Sequence, residues 1–223
     1  MHENLGTTLS MDHHFKEFQA LGAATVYEAS GQEGALDSGI KPVNPASRMC
    51  GRAITLELDP ADNWYIHVAL LQARPGDVLV IDAQGFLEAG AWGDVLTLAA
   101  QERGLHGLVI DGSVRDAQDI IDAGFPVYSR GISIKGTTKA RHGRINVPIR
   151  VGGVLVKPGD LMIGDRDGVC RVEANRITEV LEASKGRAAK EEGMRRKLRQ
   201  GASTLELLAL ENPERDDAAL DIP

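Results

Sequence analysis

Between Val78 and Gly124, strand-like and helix-like segments alternate at short intervals with glycine at the changes, and this restricts the chain to an α/β fold with parallel strands. The run Val78-Leu79-Val80-Ile81-Asp82 is continuously apolar and rich in β-branched residues, as expected of a strand buried on both faces. A Gly-rich loop, Glu88-Ala89-Gly90-Ala91-Trp92-Gly93-Asp94, leads from it to a helix expected over 94–103 and stopped at Gly104. A second strand, expected over 108–111, leads through Gly112-Ser113-Val114 to a helix starting at Arg115 or Asp116 and stopped at Gly124. In such sheets the loops leaving the carboxyl ends of neighbouring strands converge on a crevice, where side chains meet ligand instead of core. The first loop offers glycine backbone and a helix start with unpaired N–H groups, which suits a carboxylate. The second offers a fixed cation, Arg115, with the acids Asp116 and Asp119.

Around this segment the patterns are simpler. Residues 12–29 carry Phe15, Phe18, Leu21 and Ala24 at helical spacing, with 23–29 as a second short helix. The alternation over 52–58 predicts a strand with one wet face, and 64–72 predicts a mostly apolar helix. After Phe125 the chain is mainly β, with the turns Lys157-Pro158-Gly159-Asp160 and Asp165-Arg166-Asp167-Gly168 bracketing a strand at 161–164. Segments 74–82 and 157–165 echo each other, better explained by one turn-then-strand solution used twice than by duplication. A helix over 175–184, with Ile177, Val180 and Leu181 on its apolar stripe, closes a single α/β domain spanning 1–184. The remainder, 185–223, is a polar helix and tail; 186–201 has almost no apolar stripe and cannot pack into this chain's own core.

Composition narrows the function. A formal charge of −7, with no Lys/Arg block that looks like a nucleic-acid footprint, makes nucleic acid an unexpected partner. No run of eighteen apolar residues occurs and the first thirty residues lack an apolar signal core, so no membrane partner is expected and the location is expected to be cytoplasmic. Cys50 and Cys170 stand far apart and outside any ligand pattern, which predicts free thiols. No dinucleotide, Walker or nucleophile-elbow motif is present.

Each candidate residue has a structural alternative. Asp94 suits a helix N-cap as well as catalysis, Asp116 suits a first-turn acid, and Gly90 and Gly93 suit a turn. His13-His14 is a weak metal pair, Asp165–Gly168 reads as a hairpin turn, and His67 on an apolar helix reads as a core histidine. Lys135 and Lys139 lack the apolar setting that a Schiff-base lysine needs.

Asp94, twenty residues, then Arg115-Asp116-x-x-Asp119 resembles the signature of class II pyruvate aldolases of the 4-hydroxy-4-methyl-2-oxoglutarate/4-carboxy-4-hydroxy-2-oxoadipate aldolase group. DNWYIHVA (62–69), WGDVLTLAAQERGLHGLVIDGSVRD (92–116), FPVYSRG (125–131), GTTKARHGRINVPI (136–149) and GDRDGV (164–169) extend the likeness over about residues 20–201. The resemblance implies a layered β/β/α sandwich whose parallel βαβ segment carries the site, with a C-terminal helix exchanged between subunits of a homo-oligomer, trimer or hexamer. It implies Asp116 as the one protein ligand of Mg²⁺ or Mn²⁺, and an oxo-acid substrate whose carboxylate meets the backbone of Gly93, Asp94, Val95 and Leu96. Arg115 would bind the keto oxygen, and a water polarised by Asp94 and by Glu191 of a neighbouring subunit would relay the proton. The implied reaction is retro-aldol cleavage of a branched 4-hydroxy-2-oxo diacid to pyruvate, with oxaloacetate decarboxylation through the same enolate. The ribonuclease E inhibitor-like proteins share this fold as metal-free regulatory rings. They typically lack the Asp after the Arg, so Asp116 and the Lys190-Glu191 pair favour an enzyme. The tail STLELLALENPERDD (203–217) departs from the pattern of close relatives.

Overall fold

The structure, a computed structural model, describes residues 14–140 and 143–212. Contacts divide the chain into two compact units between Ser184 and Lys185.

The first unit is built on a mixed eight-stranded sheet. Its centre is four parallel strands, β2 (Met49–Leu58), β3 (Asp77–Trp92), β4 (Gly107–Val114) and β5 (Val127–Ile132), in the spatial order β5-β4-β3-β2. Antiparallel additions complete it: β1 (Lys41–Pro42) lies beside β5, and along the edge of β2 away from β3 lie β6 (Gly143–Ile145), beside its end, and β9 (Leu161–Gly164), beside its start, followed by β10 (Val169–Val172). A separate hairpin, β7 (Ile149–Val151) and β8 (Val154–Val156), packs on one face through Val151 and Val156, which share a core with Val78, Val80 and Val109. On the other face Leu79, Ile81, Leu108 and Ile110 meet the helices α3 (Trp64–Gln72), α4 (Asp94–Glu102) and α5 (Ala117–Ala123). The order hairpin, sheet, helices is the expected layered β/β/α arrangement. A third cluster joins β9 and β10 to Phe15 and Phe18 of α1 (14–21), Val26 of α2 (Ala23–Ala29), and Ile177, Val180 and Leu181. Gly22, at φ 84°, separates α1 from α2, and the Asp165 carboxylate accepts the Ala23 N–H at 2.8 Å.

The structure corrects several boundaries. Strand β2 begins at Met49 and is buried on both faces apart from Arg52 and a half-buried Glu57, because layers cover it on either side. The Gly-rich segment 88–92 is not a loop but the end of β3, which passes through register shifts after Asp82, Phe86 and Gly90. Likewise 112–114 belongs to β4, so helix α5 starts at Ala117, with Asp116 before it in the left-handed region at φ 54°. Helix α4 has Gly93, not Asp94, at its N-cap and ends at Glu102. The expected 175–184 helix is a 3₁₀ turn, Ala174–Arg176, followed by α6, which runs from Ile177 to Arg199 without a break. The two Pro-Gly-Asp turns do share one local solution: the Arg74 N–H reaches Asp77 Oδ2 at 2.8 Å and the Lys157 N–H reaches Asp160 Oδ2 at 2.9 Å. The strands they start run parallel (β3) and antiparallel (β9) to β2, which argues against a duplicated unit.

The second unit contains the charged end of α6 and a short helix, α7 (Thr204–Leu208), whose start is closed by a Ser203/Glu206 capping box. Side chains along α6 pair one turn apart: Glu191 with Arg187 at 3.1 Å and Arg195 at 3.2 Å, and Glu192 with Arg195 at 3.4 Å.

Candidate active site

A cleft of about 220 Å³ opens where β3 and β4 end and α3 and α4 begin, lined among others by Asn63, His67, Gly93, Asp94, Arg115 and Lys139. The β3–α4 corner is rigid for a local reason. Trp92 Nε1 donates to Thr97 Oγ1 at 2.7 Å, Thr97 Oγ1 donates to the Gly93 carbonyl at 3.0 Å, and the indole stacks on Phe125. The Val95 and Leu96 N–H groups, in the first turn of α4, have no carbonyl one turn back to receive them, and both residues line the cleft.

Arg115 and Asp116 follow β4 directly. The Arg115 N–H donates to the Trp92 carbonyl at 2.8 Å, so its backbone extends the β3–β4 pairing. Its guanidinium is about half exposed, with Nε 3.4 Å from Asp116 Oδ2. The same Oδ2 accepts the Asp94 N–H at 3.3 Å, so the carboxylate of Asp116, not that of Asp94, serves the start of α4. Close approach explains both glycines. A Cβ on Gly90 would lie 2.6 Å from the Ser133 carbonyl oxygen and 2.7 Å from Arg115 Cβ, and one on Gly93 would overlap Asp116 Oδ2. Neither residue is there for a turn.

Asp116 Oδ1 accepts no hydrogen bond from the described residues. Among those residues no three His, Cys, Asp or Glu side chains cluster as a metal cage. One open carboxylate oxygen beside a cleft fits a hard cation such as Mg²⁺, which is commonly held by one or two carboxylates and keeps waters and substrate oxygens as its other ligands. Of the other sequence candidates, Asp94 is exposed on the cleft rim and Val95 beside it, while Glu191 lies on α6 in the second unit. His13 lies outside the described residues, and Cys50 and Cys170 are buried free thiols.

Three lining residues, Asn63, His67 and Lys139, were not assigned to the site from the sequence. His67 is not a core histidine: it is exposed and lines the cleft, one helical turn beyond Asn63. Partial burial, then the charge of Lys139, lowers its pKa below the ordinary imidazole value. Asn63, buried, donates from Nδ2 to the Ala91 carbonyl at 3.2 Å and accepts from Lys139 Nζ at 3.3 Å. The i, i+4 pair Asn63/His67 on a helix that starts at the sheet's carboxyl edge was the available signal.

A layered α/β protein with a polar, cation-bearing cleft at the carboxyl edge of its parallel strands is the class that this geometry defines. Within that class the chain belongs to the RraA-like family, described as Aldolase/RraA, whose model matches residues 23–171. It is 38% identical over 161 residues to a Halalkalibacterium halodurans protein named "Putative 4-hydroxy-4-methyl-2-oxoglutarate aldolase", covering 72% of this chain and 77% of that one. Among solved structures it resembles an uncharacterized protein from Pseudomonas syringae pv. tomato (TM-score 0.76, 28% identity, 88% of this chain and 96% of that one). It also resembles the RNA-processing inhibitor RraA from Thermus thermophilis (TM-score 0.59, 31% identity, 63% and 85% covered).

Proposed function

We propose that this protein is a divalent-metal-dependent pyruvate aldolase, a carbon–carbon lyase that cleaves a branched 4-hydroxy-2-oxo diacid and also decarboxylates oxaloacetate. The observation that carries the proposal is the Arg115-Asp116 pair, held by the close approach of Gly93 beside the open start of α4. The substrate carboxylate is received by the Val95 and Leu96 N–H groups, with Gly93 and Asp94 completing the turn around it. The Arg115 guanidinium donates to the keto oxygen. As the bond between C3 and C4 breaks, its electron pair becomes the enolate of pyruvate, and a cation fixed at that oxygen in advance stabilises the transition state more than the ground state. Asp116 would hold Mg²⁺ or Mn²⁺, and when bound the ion supplies further polarisation of the same oxygen. Asp94 orients a water that takes the proton from the 4-hydroxyl and returns one to the enolate carbon, and Glu191 of a neighbouring subunit in a homo-oligomer shares that task.

The purified protein is expected to release pyruvate from branched 4-hydroxy-2-oxo diacids and from oxaloacetate, to stop with EDTA and to recover with Mg²⁺ or Mn²⁺, as read by a coupled pyruvate assay. Arg115→Lys keeps the charge but loses the planar fork, and kcat is expected to fall roughly 10²-fold, the scale of removing one oxyanion donor. Full activity in excess chelator, or no pyruvate from any of these acids, sinks the proposal. The second outcome would favour the alternative suggested by the likeness to the Thermus inhibitor, a metal-free regulatory protein that acts by binding.

A further inference from the structure

Retro-aldol chemistry needs one cation at the keto oxygen, and Arg115 supplies it; the cleft holds a second. Lys139 lines the same cavity and makes no ion pair with any described residue, whereas the neighbouring Lys135 is paired with Glu88. Its placement is built. The Asp62 carboxylate, buried to 3% exposure, accepts the Ala140 N–H and the Trp64 N–H (2.8 Å). The Thr138 N–H donates to the Ala61 carbonyl at 2.8 Å, and the Asn63 N–H donates to the Thr138 carbonyl at 3.2 Å. The backbone on both sides of Lys139 is thus tied to the start of α3, and the buried Asn63 takes one of the three ammonium hydrogens. Two remain for a ligand. His67, on the same helix face as Asn63, stays largely neutral near pH 7 because burial and Lys139 lower its pKa, so it can donate a hydrogen bond without adding a third charge. The facing charged groups are Arg115, whose Nε lies 3.4 Å from Asp116 Oδ2 and whose remaining donors serve the keto oxygen, and the rim carboxylate of Asp94.

We infer that Lys139, positioned by Asn63 and assisted by His67, receives the second carboxylate of the substrate and so sets a preference for dicarboxylic over monocarboxylic 2-oxo acids. The inference rests on the aldolase function proposed above, and it assigns to one side chain a discrimination that the reaction itself does not require. A cation with no ion-pair partner among the described residues, held at an asparagine in a small cleft, gains most from a ligand that brings an opposite charge. A monoacid of the same length would leave it solvated and uncompensated.

The test separates binding from turnover. With Mg²⁺ present, calorimetry compares 2-oxoglutarate with 2-oxopentanoate, which has the same length and lacks the second carboxylate. The coupled assay compares 4-hydroxy-4-methyl-2-oxoglutarate with 4-hydroxy-4-methyl-2-oxopentanoate. In the wild-type protein the dicarboxylate should be favoured in both. In Lys139→Met the preference should collapse by on the order of 10–100-fold, the scale of one hydrogen bond to a charged group, while Lys139→Arg keeps most of it. A wild-type protein without the preference, a preference unchanged in Lys139→Met, or equal losses on both members of each pair would overturn the assignment. A Lys139-dependent binding preference without any pyruvate release would uphold it and reject the aldolase instead. Pyruvate release with a diacid preference indifferent to Lys139 would do the reverse.

Discussion

A single methyl group separates a formed site from a displaced one at Gly93. The backbone there is extended, at φ −153° and ψ −163°, so any residue could adopt it; the constraint is the Asp116 carboxylate that occupies the space of a Cβ. Gly93→Ala is therefore expected to leave the fold intact and to push Asp116 away from the Asp94 N–H and from Arg115. Misplacement by about 1 Å is enough to cost roughly 10²-fold in kcat/KM, and Mg²⁺ affinity should fall with it. Circular dichroism and a Mg²⁺ titration of activity check both halves; normal Mg²⁺ dependence in the variant would mean that Asp116 does not hold the ion. The same comparison explains why Asp116 could be found in the sequence and its geometry could not. Arg-Asp after a strand marks a sheet-edge pair, but the left-handed backbone of Asp116 and its bond to the start of α4 arise only when β3 and β4 lie side by side.

At the scale of elements, the strap 133–140 is fixed to the start of α3 through Asp62, and its removal has a calculable effect. Asp62→Ala leaves the Ala140 and Trp64 N–H groups without their charged acceptor in a part-buried turn, at a cost of about 1–3 kcal/mol. At the usual sensitivity of a domain this size, Tm should fall by several degrees, and the substrate KM should rise because Lys139 and Asn63 lose their common anchor. An unchanged Tm measured by calorimetry would rule out the anchor. Elements with a clean apolar pattern were legible in advance: the buried run 78–82, the helix Trp64–Gln72 and the short strand Leu161–Gly164 all lie where periodicity put them. Glycine was misread in 88–93 and 112–114, because Gly90 and Gly112 serve close strand-to-strand packing there and do not end the strands. His67 was misread for a related reason. Helix α3 is apolar nearly all round, so its pattern could not tell the buried Ile66 from the cleft-facing residue next to it.

At the scale of the whole molecule, the polar end of α6 has to be reconciled with the proposed chemistry. Its carboxylates are matched by arginines one turn away, which keeps a helix with little apolar surface formed without a core of its own. Glu191 is nonetheless only 31% exposed in its side chain and sits between Arg187 at 3.1 Å and Arg195 at 3.2 Å. If it completes the Asp116 site of a neighbouring subunit, two defective chains can repair each other. Arg115→Ala and Glu191→Ala proteins are each expected to be nearly inactive, whereas a randomly co-assembled one-to-one mixture should hold about one quarter of its sites with both wild-type residues in a cyclic oligomer. Pyruvate release by the mixture should approach that fraction of the wild-type rate, and it should depend on the formation of mixed oligomers. A mixture that stays inactive although sedimentation shows mixed oligomers would mean that each site is complete within one chain, with Asp94 alone positioning the water.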